Sequence, residues 1–397
     1  MVFDNAQISG FVVRNRIFRS ATHDGLADEN GAPGEKLIRK YGFLAESGVG
    51  CIISGYAAVS RNGVSPYPKM LTIYNDKGLD NYRLLTDTVH KRGGKIVLQL
   101  AHCGRQTSSK AIGYQKVAPS DVLHPFYPDK AKPLDDSEIN KIIDDFIHGA
   151  VSAEKAGFDA VQLHGGHGYL IHDFFSRHGN RRNDKWGGNL ENRCRFVKLI
   201  TEGIKQNTNL PVWIKISAVD NRKNGMNIND TVEILHILEN AGLDAVEVSC
   251  GTVADGMNTM RSRIMPMEAV FKYREPCASF PNWFSKIALT AANLVNPMIK
   301  QPTPLENFNV ENAEIIKKAV SIPVIAVGGI HKLNDMEYIL QSGKSDFVSM
   351  CRPFICEPDL VRKLKSGKQT QAKCIMCNCC GLVIEKEPTR CLYGRVK

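Results

Sequence analysis

The stretch Lys155-Ala156-Gly157-Phe158-Asp159-Ala160-Val161-Gln162-Leu163-His164-Gly165-Gly166-His167-Gly168-Tyr169 sets the reading of this chain. Lys155 and Ala156 end an amphipathic run, and Gly157 follows as the residue that most readily takes the left-handed turn closing a helix. The largely apolar run from Phe158 to Leu163 then reads as a buried strand. Where that strand ends come two imidazoles three residues apart and a phenol two further on. Such a compact set of donors can hold a developing oxyanion and deliver a proton. A zinc pair built from His164 and His167 is the competing reading, but it needs more ligands and more helical spacing than this segment offers.

The same punctuation recurs along the chain. Glu46-Ser47-Gly48, Lys91-Arg92-Gly93-Gly94, Asn240-Ala241-Gly242 and Gln341-Ser342-Gly343 each place a glycine just past a helical pattern. Nearly continuous apolar runs predict strands at 15–20, 50–54, 95–100, 159–163, 212–216, 245–248, 323–327 and 346–350. Amphipathic stretches between them predict helices at 35–45, 80–90, 136–156, 191–206, 230–241, 311–320 and 334–341. Strand–helix alternation of this kind is the pattern of an α/β chain folded as a (β/α)8 TIM barrel. Two segments break the rhythm. A loop at 106–133 is the smaller; a longer irregular insertion after strand 6, about 253–312, is expected at the active face as a lid, or else as a surface excursion. The expected division is a barrel at 1–365 and a Cys-rich C-terminal extension at 366–397.

Of the 397 residues, 43% are hydrophobic and 23% charged, the balance of an ordinary soluble chain with ample core material. No apolar run approaches the roughly 20 residues of a membrane span, and the N-terminus has no basic-then-apolar leader, so a cytoplasmic protein without membrane contact is expected. The net charge of +10 is scattered, without the basic block of a nucleic-acid binder, and suits a phosphate-bearing ligand. Of the 12 cysteines, seven (Cys51, Cys103, Cys194, Cys250, Cys277, Cys351, Cys356) are dispersed and read as small hydrophobes. Cys374, Cys377, Cys379, Cys380 and Cys391 crowd the C-terminus, where metal or redox chemistry is the expectation over disulfides.

The His164–Tyr169 segment, with Asn180-Arg181-Arg182 and Trp186-Gly187-Gly188-Asn189-Leu190-Glu191-Asn192-Arg193 behind it, resembles the Old Yellow Enzyme family of FMN-dependent ene-reductases (NADH:flavin oxidoreductases). Several separated motifs fall in the family's order up to about Lys365. The resemblance implies FMN as cofactor and NAD(P)H as reductant. It implies that His164 and His167 hydrogen-bond a substrate carbonyl and that Tyr169 donates the proton. Ser20, Ala21, Thr22 and His23 resemble the end of the flavin-contacting first strand, with Ala21 where a proline is common and Thr22 or His23 near the flavin's C4 carbonyl. Ser54-Gly55-Tyr56 resembles a segment beside the flavin ring, with Tyr56 stacking on it or facing away. Gln99, in Gln99-Leu100-Ala101-His102-Cys103-Gly104-Arg105, would pair with the flavin's pyrimidine edge, and His102 and Arg105 would organise the loop. Lys215 stands where relatives often carry arginine; it keeps the charge and loses the planar fork. Gly328 and Gly329, then Cys351 and Arg352, resemble the two phosphate-binding loops of the last strands.

The tail resembles that of the 2,4-dienoyl-CoA-reductase-like branch, which implies a [4Fe–4S] cluster on Cys374, Cys377, Cys380 and Cys391. One inter-ligand gap is a residue short, and the expected pyridine-nucleotide domain does not follow Lys397, so an external electron-donor protein would be needed. A zinc knuckle and a set of free thiols remain alternatives. Three functional readings stand at this point: an ene-reductase acting on a small enone, a non-flavin barrel enzyme acting on a phosphorylated metabolite with Lys215 as its one Schiff-base candidate, and an electron-transfer protein working through its tail. The sequence leaves the oligomeric state open.

Overall fold

The computed structural model describes residues 1–393 apart from Met257 and Ile264. Eight parallel strands form its centre: β1 (Ile17–Arg19), β2 (Cys51–Ile53), β3 (Ile96–Ala101), β4 (Ala160–Gly165), β5 (Val212–Ser217), β6 (Ala245–Ser249), β7 (Val324–Val327) and β8 (Phe347–Met350). Each pairs with the next in the chain, and β8 pairs back to β1, so the sheet closes into a barrel. The helices follow the strands in turn: α1 (Glu35–Glu46), α2 (Leu79–His90), α3 (Asp136–Lys155), α4 (Leu190–Asn207), α5 (Ile228–Asn240), α6 (Val310–Ala319), α7 (Leu333–Gln341) and α8 (Leu360–Lys365). The expected (β/α)8 barrel is therefore present, with β1, β2, β7 and β8 shorter than their apolar runs and β3, β4, β5 and β6 extending one or two residues past the end of theirs.

Local chemistry explains the boundaries. Asp135 starts α3 by accepting from the Glu138 amide while the Glu138 side chain accepts from the Asp135 amide, which satisfies two otherwise orphaned donors. Gly157, at φ +82°, turns the chain from α3 into β4.

Side chains alternate across each strand, so the barrel has two interiors. Leu98, Leu163, Ile214, Ile216 and Val248 point outward into the apolar shell beneath the helices. Phe18, Cys51, Val97, Ala160, Trp213, Ala245, Ile325 and Phe347 point inward and fill the N-terminal half of the lumen. Two residues further along the same strands, the inward positions turn polar: Ala160 gives way to Gln162 and His164, Trp213 to Lys215 and Ser217, Ala245 to Glu247 and Ser249. One lumen thus runs from a dry floor to a polar mouth.

An antiparallel hairpin, Ala6–Ile8 with Phe11–Val13, plugs the floor. Phe11 and Phe18 stack on Trp213 at 6.0 and 6.2 Å, and the Trp213 Nε1 donates to Ser9 Oγ at 3.0 Å. Strands of three residues are too short to show an alternation, which is why the sequence pattern does not reveal them.

The insertion between β6 and α6 is more ordered than its composition suggests. It holds helices at Met267–Tyr273 and Asn282–Val295, each starting directly after a proline, Pro266 and Pro281. Prolines that read as breakers here stand at helix starts, where the missing N–H costs nothing. The Cys-rich segment returns across the same end of the barrel. Leu333 N donates to Thr370 O, Ala372 N to His331 O, and Thr389 N to Asp24 O. Cys379, Val383 and Leu392 pack with Ala269 and Tyr273 of the insertion.

Replacing Trp213 with alanine removes the largest side chain of the floor together with its tie to the hairpin; stability should fall by about 3–5 kcal/mol in urea denaturation.

Candidate active site at the barrel mouth

Five strands and the segment just past β1 deliver one continuous polar chain to the middle of the lumen. The Gln99 amide (β3) donates to Gln162 Oε1 (β4) at 2.7 Å, and Gln162 Nε2 donates to Glu247 Oε2 (β6) at 3.1 Å. Lys215 Nζ (β5) lies 3.3 Å from Glu247 Oε2 and donates to Ser20 Oγ, just past β1, at 2.7 Å. Ser349 Oγ (β8) closes the set on Glu247 Oε1 at 2.6 Å. Glu247 is wholly buried. Burial alone would raise its pKa, but the Lys215 charge and the hydrogen bonds from Ser349, Ser20 and Gln162 hold it below the usual carboxylate range. Gln99, Lys215 and Ser20, expected around a flavin from separate motifs, are thus joined through Gln162 and Glu247. Sequence reading missed these two; counting two residues along each strand from a known inward position finds both.

His164, His167 and Tyr169 gather at the C-terminal end of the same lumen. The His164 ring lies 4.3 Å from Tyr169 and 5.3 Å from His167, centroid to centroid. His164 is the last inward side chain of β4. His167 and Gly168 both take positive φ, 61° and 83°, which turns the chain sharply and sends Tyr169 back over His164. A side chain at Gly168 would press on the Gln106 amide oxygen, so glycine is required for both conformation and space. The loop is fixed by Ser217 Oγ, which accepts from His167 N at 3.0 Å, and by Val253 N donating to His167 O. Ser249 Oγ lies 2.8 Å from His167 Nε2. His164 Nδ1 is buried with no hydrogen-bond partner.

Burial, reinforced by His167 and Lys215, holds His164 well below its usual pKa; burial with Lys215 and His172 does the same for His167. Both imidazoles are therefore neutral at physiological pH. Burial beside Tyr56 and Cys103 pushes Tyr169 well above the usual phenol value, so it keeps its proton. Tyr56 adjoins Tyr169, with ring centroids 5.6 Å apart, and donates to Ser65 Oγ.

The segment after β1 is held by a buried ion pair. Arg19 places both oxygens of Asp24 within 3.0 Å, and the Tyr41 hydroxyl of α1 donates to Asp24 at 2.7 Å. Between these anchors, Ala21 packs against the lumen floor, Thr22 Oγ1 lies 3.1 Å from Cys351 Sγ, and His23 sits against Tyr56 with Nε2 at 3.2 Å from Pro68 O. Gly328 and Gly329 leave β7 at φ 136° and 72°, tight against Asn309 and Leu305. Arg352 extends from the end of β8 to Arg261 O, Met376 O and Asn378 Oδ1, tying the insertion to the Cys-rich tail. Arg261, in the insertion, has a buried Nε without a partner and lies over Phe308; no motif pointed to it.

Arg105 grips Asp173 through two hydrogen bonds of 2.9 and 3.0 Å, and His102 Nδ1 accepts from Gly104 N, in keeping with their expected loop-building roles. Asp173, to which sequence reading gave no role, is that arginine's partner. Asn180 ties Phe174 O to Trp186 O and so braces the loop behind Tyr169. In the tail, Cys374, Cys377, Cys380 and Cys391 line one small cavity of about 20 Å3 with Arg352 at its edge. A hydrogen bond from the Cys379 thiol brings Cys377 down to about 6, whereas burial pushes Cys380 up. Among the described residues, no three His, Cys, Asp or Glu side chains converge as single-ion ligands do.

Because the folded imidazoles of His164 and His167 resist protonation while unfolded ones titrate near 6.5, stability should be full above that pH and decline as pH falls below it. A His164→Asn/His167→Asn variant should show a shallower acid decline in denaturation midpoints measured between pH 8 and pH 5; an unchanged slope would contradict neutral buried imidazoles.

The matching family model is NADH:flavin oxidoreductase / NADH oxidase, aligned over residues 2–297 and 283–371. An NADH oxidase of Thermoanaerobacter brockii is 34% identical over 95% of this chain and 52% of its own length. An NADPH dehydrogenase of Clostridium acetobutylicum is 30% identical over 91% of this chain and 93% of its own. The chain thus spans about half the first relative and nearly all of the second. Among solved structures, the Old Yellow Enzyme homologue of Zymomonas mobilis superposes with a TM-score of 0.72 at 25% identity, covering 95% of each chain. Barrel, mouth and alignment agree: this chain is a member of the NADH:flavin oxidoreductase / NADH oxidase family.

Proposed function

We propose that this chain is an FMN-dependent ene-reductase that reduces the C=C bond of an α,β-unsaturated carbonyl compound, with NAD(P)H as the reductant. The observation that carries the reading is the packing of His164, His167 and Tyr169 over one polar layer that contains Gln99 and Lys215. The residues present suit a flavin. Gln99 offers a primary amide to a heterocyclic edge, Lys215 a cation and Ser20 a hydroxyl, and the unpartnered His164 Nδ1 awaits a ligand at the mouth. Tyr56 and His23 would face the ring; Thr22 and Ala21 would pass along its edge. Gly328, Gly329, Cys351 and Arg352 would form the phosphate end, where backbone amides and one guanidinium suit an anion.

When bound, FMN supplies a hydride from its N5 to the substrate's β-carbon. The chain's own residues do the rest. The neutral imidazoles of His164 and His167 hold the carbonyl oxygen by hydrogen bonds that strengthen as negative charge develops there. Tyr169 gives its proton to the α-carbon, and its raised pKa ensures that it is loaded at every physiological pH. Lys215 is held between Ser20 and Glu247, which favours a fixed electrostatic role over Schiff-base chemistry on a phosphorylated metabolite.

For the tail we infer a [4Fe–4S] cluster on Cys374, Cys377, Cys380 and Cys391. Four thiols around one cavity suit a cluster that takes a ligand at each corner, whereas zinc needs all of them within about 2.3 Å of a point. Arg352 beside them suits its negative charge.

Tyr169→Phe should slow enone-dependent reoxidation of the flavin by about 10²–10⁴-fold in stopped flow and leave its reduction by NAD(P)H unchanged. Equal loss in both half-reactions would remove Tyr169 from its role. Anaerobically purified protein should show flavin absorption with a broad iron–sulfur shoulder; Cys380→Ser should lose the shoulder, the iron and the sulfide and keep the flavin bands.

A further inference from the structure

The helix Asn282–Val295 in the insertion has no buried residue. Its exposed side chains include Asn282, Lys286, Thr290 and Asn293, yet the large ones are mostly apolar: Trp283 at 67% exposure, Phe284, Ile287, Leu294 at 76%, and Val295, continued by Met298 at 81% and Ile299. On a helix turning about 100° per residue, positions 283, 284, 287, 291, 294, 295 and 298 fall on one stripe roughly 120° wide. The opposite side faces the protein. Ser285, Ala288, Leu289 and Ala292 are partly covered, and Asn296 is buried, exchanging hydrogen bonds with the Met265 backbone at 2.8 and 3.2 Å. Phe280 packs edge-to-face with Phe284 and Phe271 at the other end. The helix is therefore docked by the side that carries Ser285, Ala288, Leu289 and Ala292 and presents its large apolar side chains outward.

Charge decides what such a stripe can meet. Between Pro276 and Leu305 the chain has no acidic residue, and its charges are Lys286 and Lys300, both exposed. Just before this stretch, Glu275 is taken up by Lys386 at 2.8 Å. A second copy of this surface would bring lysines against lysines with no carboxylate to meet them. An anionic lipid surface supplies both an apolar layer for the stripe and negative headgroups for the lysines, the arrangement of a helix lying in the membrane interface.

We propose that the helix Asn282–Val295 docks the protein onto an anionic lipid bilayer, lying in its plane with Trp283, Ile287, Leu294 and Met298 inserted. The insertion leaves the C-terminal end of β6, the same end of the barrel at which β4 carries His164 and the loop after it carries Tyr169, so docking sets the barrel mouth beside the bilayer. The binding requires no membrane span, and no helix among the described residues is long and apolar enough to be one. The inference stands independently of the reaction proposed above.

The test uses the full-length protein with phosphatidylcholine vesicles, with and without equimolar phosphatidylglycerol. Of the three tryptophans, Trp186 and Trp213 are buried, so a change in emission reports on Trp283. We expect co-sedimentation and a blue shift with the anionic vesicles. Ile287→Asp/Leu294→Asp should abolish both and leave turnover of a water-soluble enone unchanged. Lys286→Glu/Lys300→Glu, which keeps the stripe, should weaken anionic binding by about tenfold or more. A protein that stays in the supernatant with an unshifted emission overturns the proposal. A wild-type dimer that the Ile287→Asp/Leu294→Asp variant converts to monomer also overturns it, assigning the face to a second copy.

Discussion

A carboxylate and an ammonium 3.3 Å apart inside a closed barrel are the constraint around which this molecule is arranged. Glu247 has no access to water, and a buried charge persists only when it is paired and its remaining lone pairs are met. Lys215, Gln162 and Ser349 meet them from three other strands, so the pair fixes the relative rotation of β4, β5, β6 and β8 about the barrel axis. Removing either partner would leave the other uncompensated, at a cost of about 3–5 kcal/mol. The floor beneath is the reverse case: Phe18 and Phe347 need only to fill space beside Trp213, and the N-terminal hairpin seals them from solvent and accepts a hydrogen bond from Trp213 Nε1 at Ser9.

The polar layer also sets the mouth. The neutral imidazoles of His164 and His167 follow from burial reinforced by the nearby Lys215 charge. A protonated imidazole there would face a like charge inside a low-dielectric lumen. The neutral state suits hydrogen bonding to a carbonyl that becomes negative only during reaction, because donors already in place need not reorganise. The tight turn at His167 and Gly168 completes the arrangement by bringing Tyr169 onto His164.

The insertion and the Cys-rich tail form a second layer over this end of the barrel. Arg352 joins them by reaching from β8 to Arg261 O and to Asn378, and Cys379 and Val383 share an apolar cluster with Tyr273. The tail reaches the segment after β1 as well, where Thr389 meets His23 O and Asp24 O. Ala21, Thr22 and His23 are therefore held from two sides, by the Arg19–Asp24 pair and by the tail.

The sequence by itself determined the barrel, since eight apolar runs separated by glycine-ended amphipathic segments admit few other architectures, and it singled out His164, His167 and Tyr169 because three such side chains crowd one strand end. It also grouped the tail cysteines, four of which share a cavity although Cys391 lies eleven residues beyond Cys380. Other features belong to the tertiary structure alone. Glu247 and Gln162 look like ordinary strand residues until closure turns them inward onto Lys215 and Gln99. The hairpin is too short to leave a periodic signal, and the insertion's helices hide behind prolines. The apolar stripe at Trp283 and Leu294 reads as core in a linear pattern; only the packing of Asn296 and Leu289 toward the protein leaves it facing out. Local pattern specifies which residues belong to a strand or a helix, but which face is covered depends on neighbours distant in sequence, and that is settled only when the chain has closed on itself.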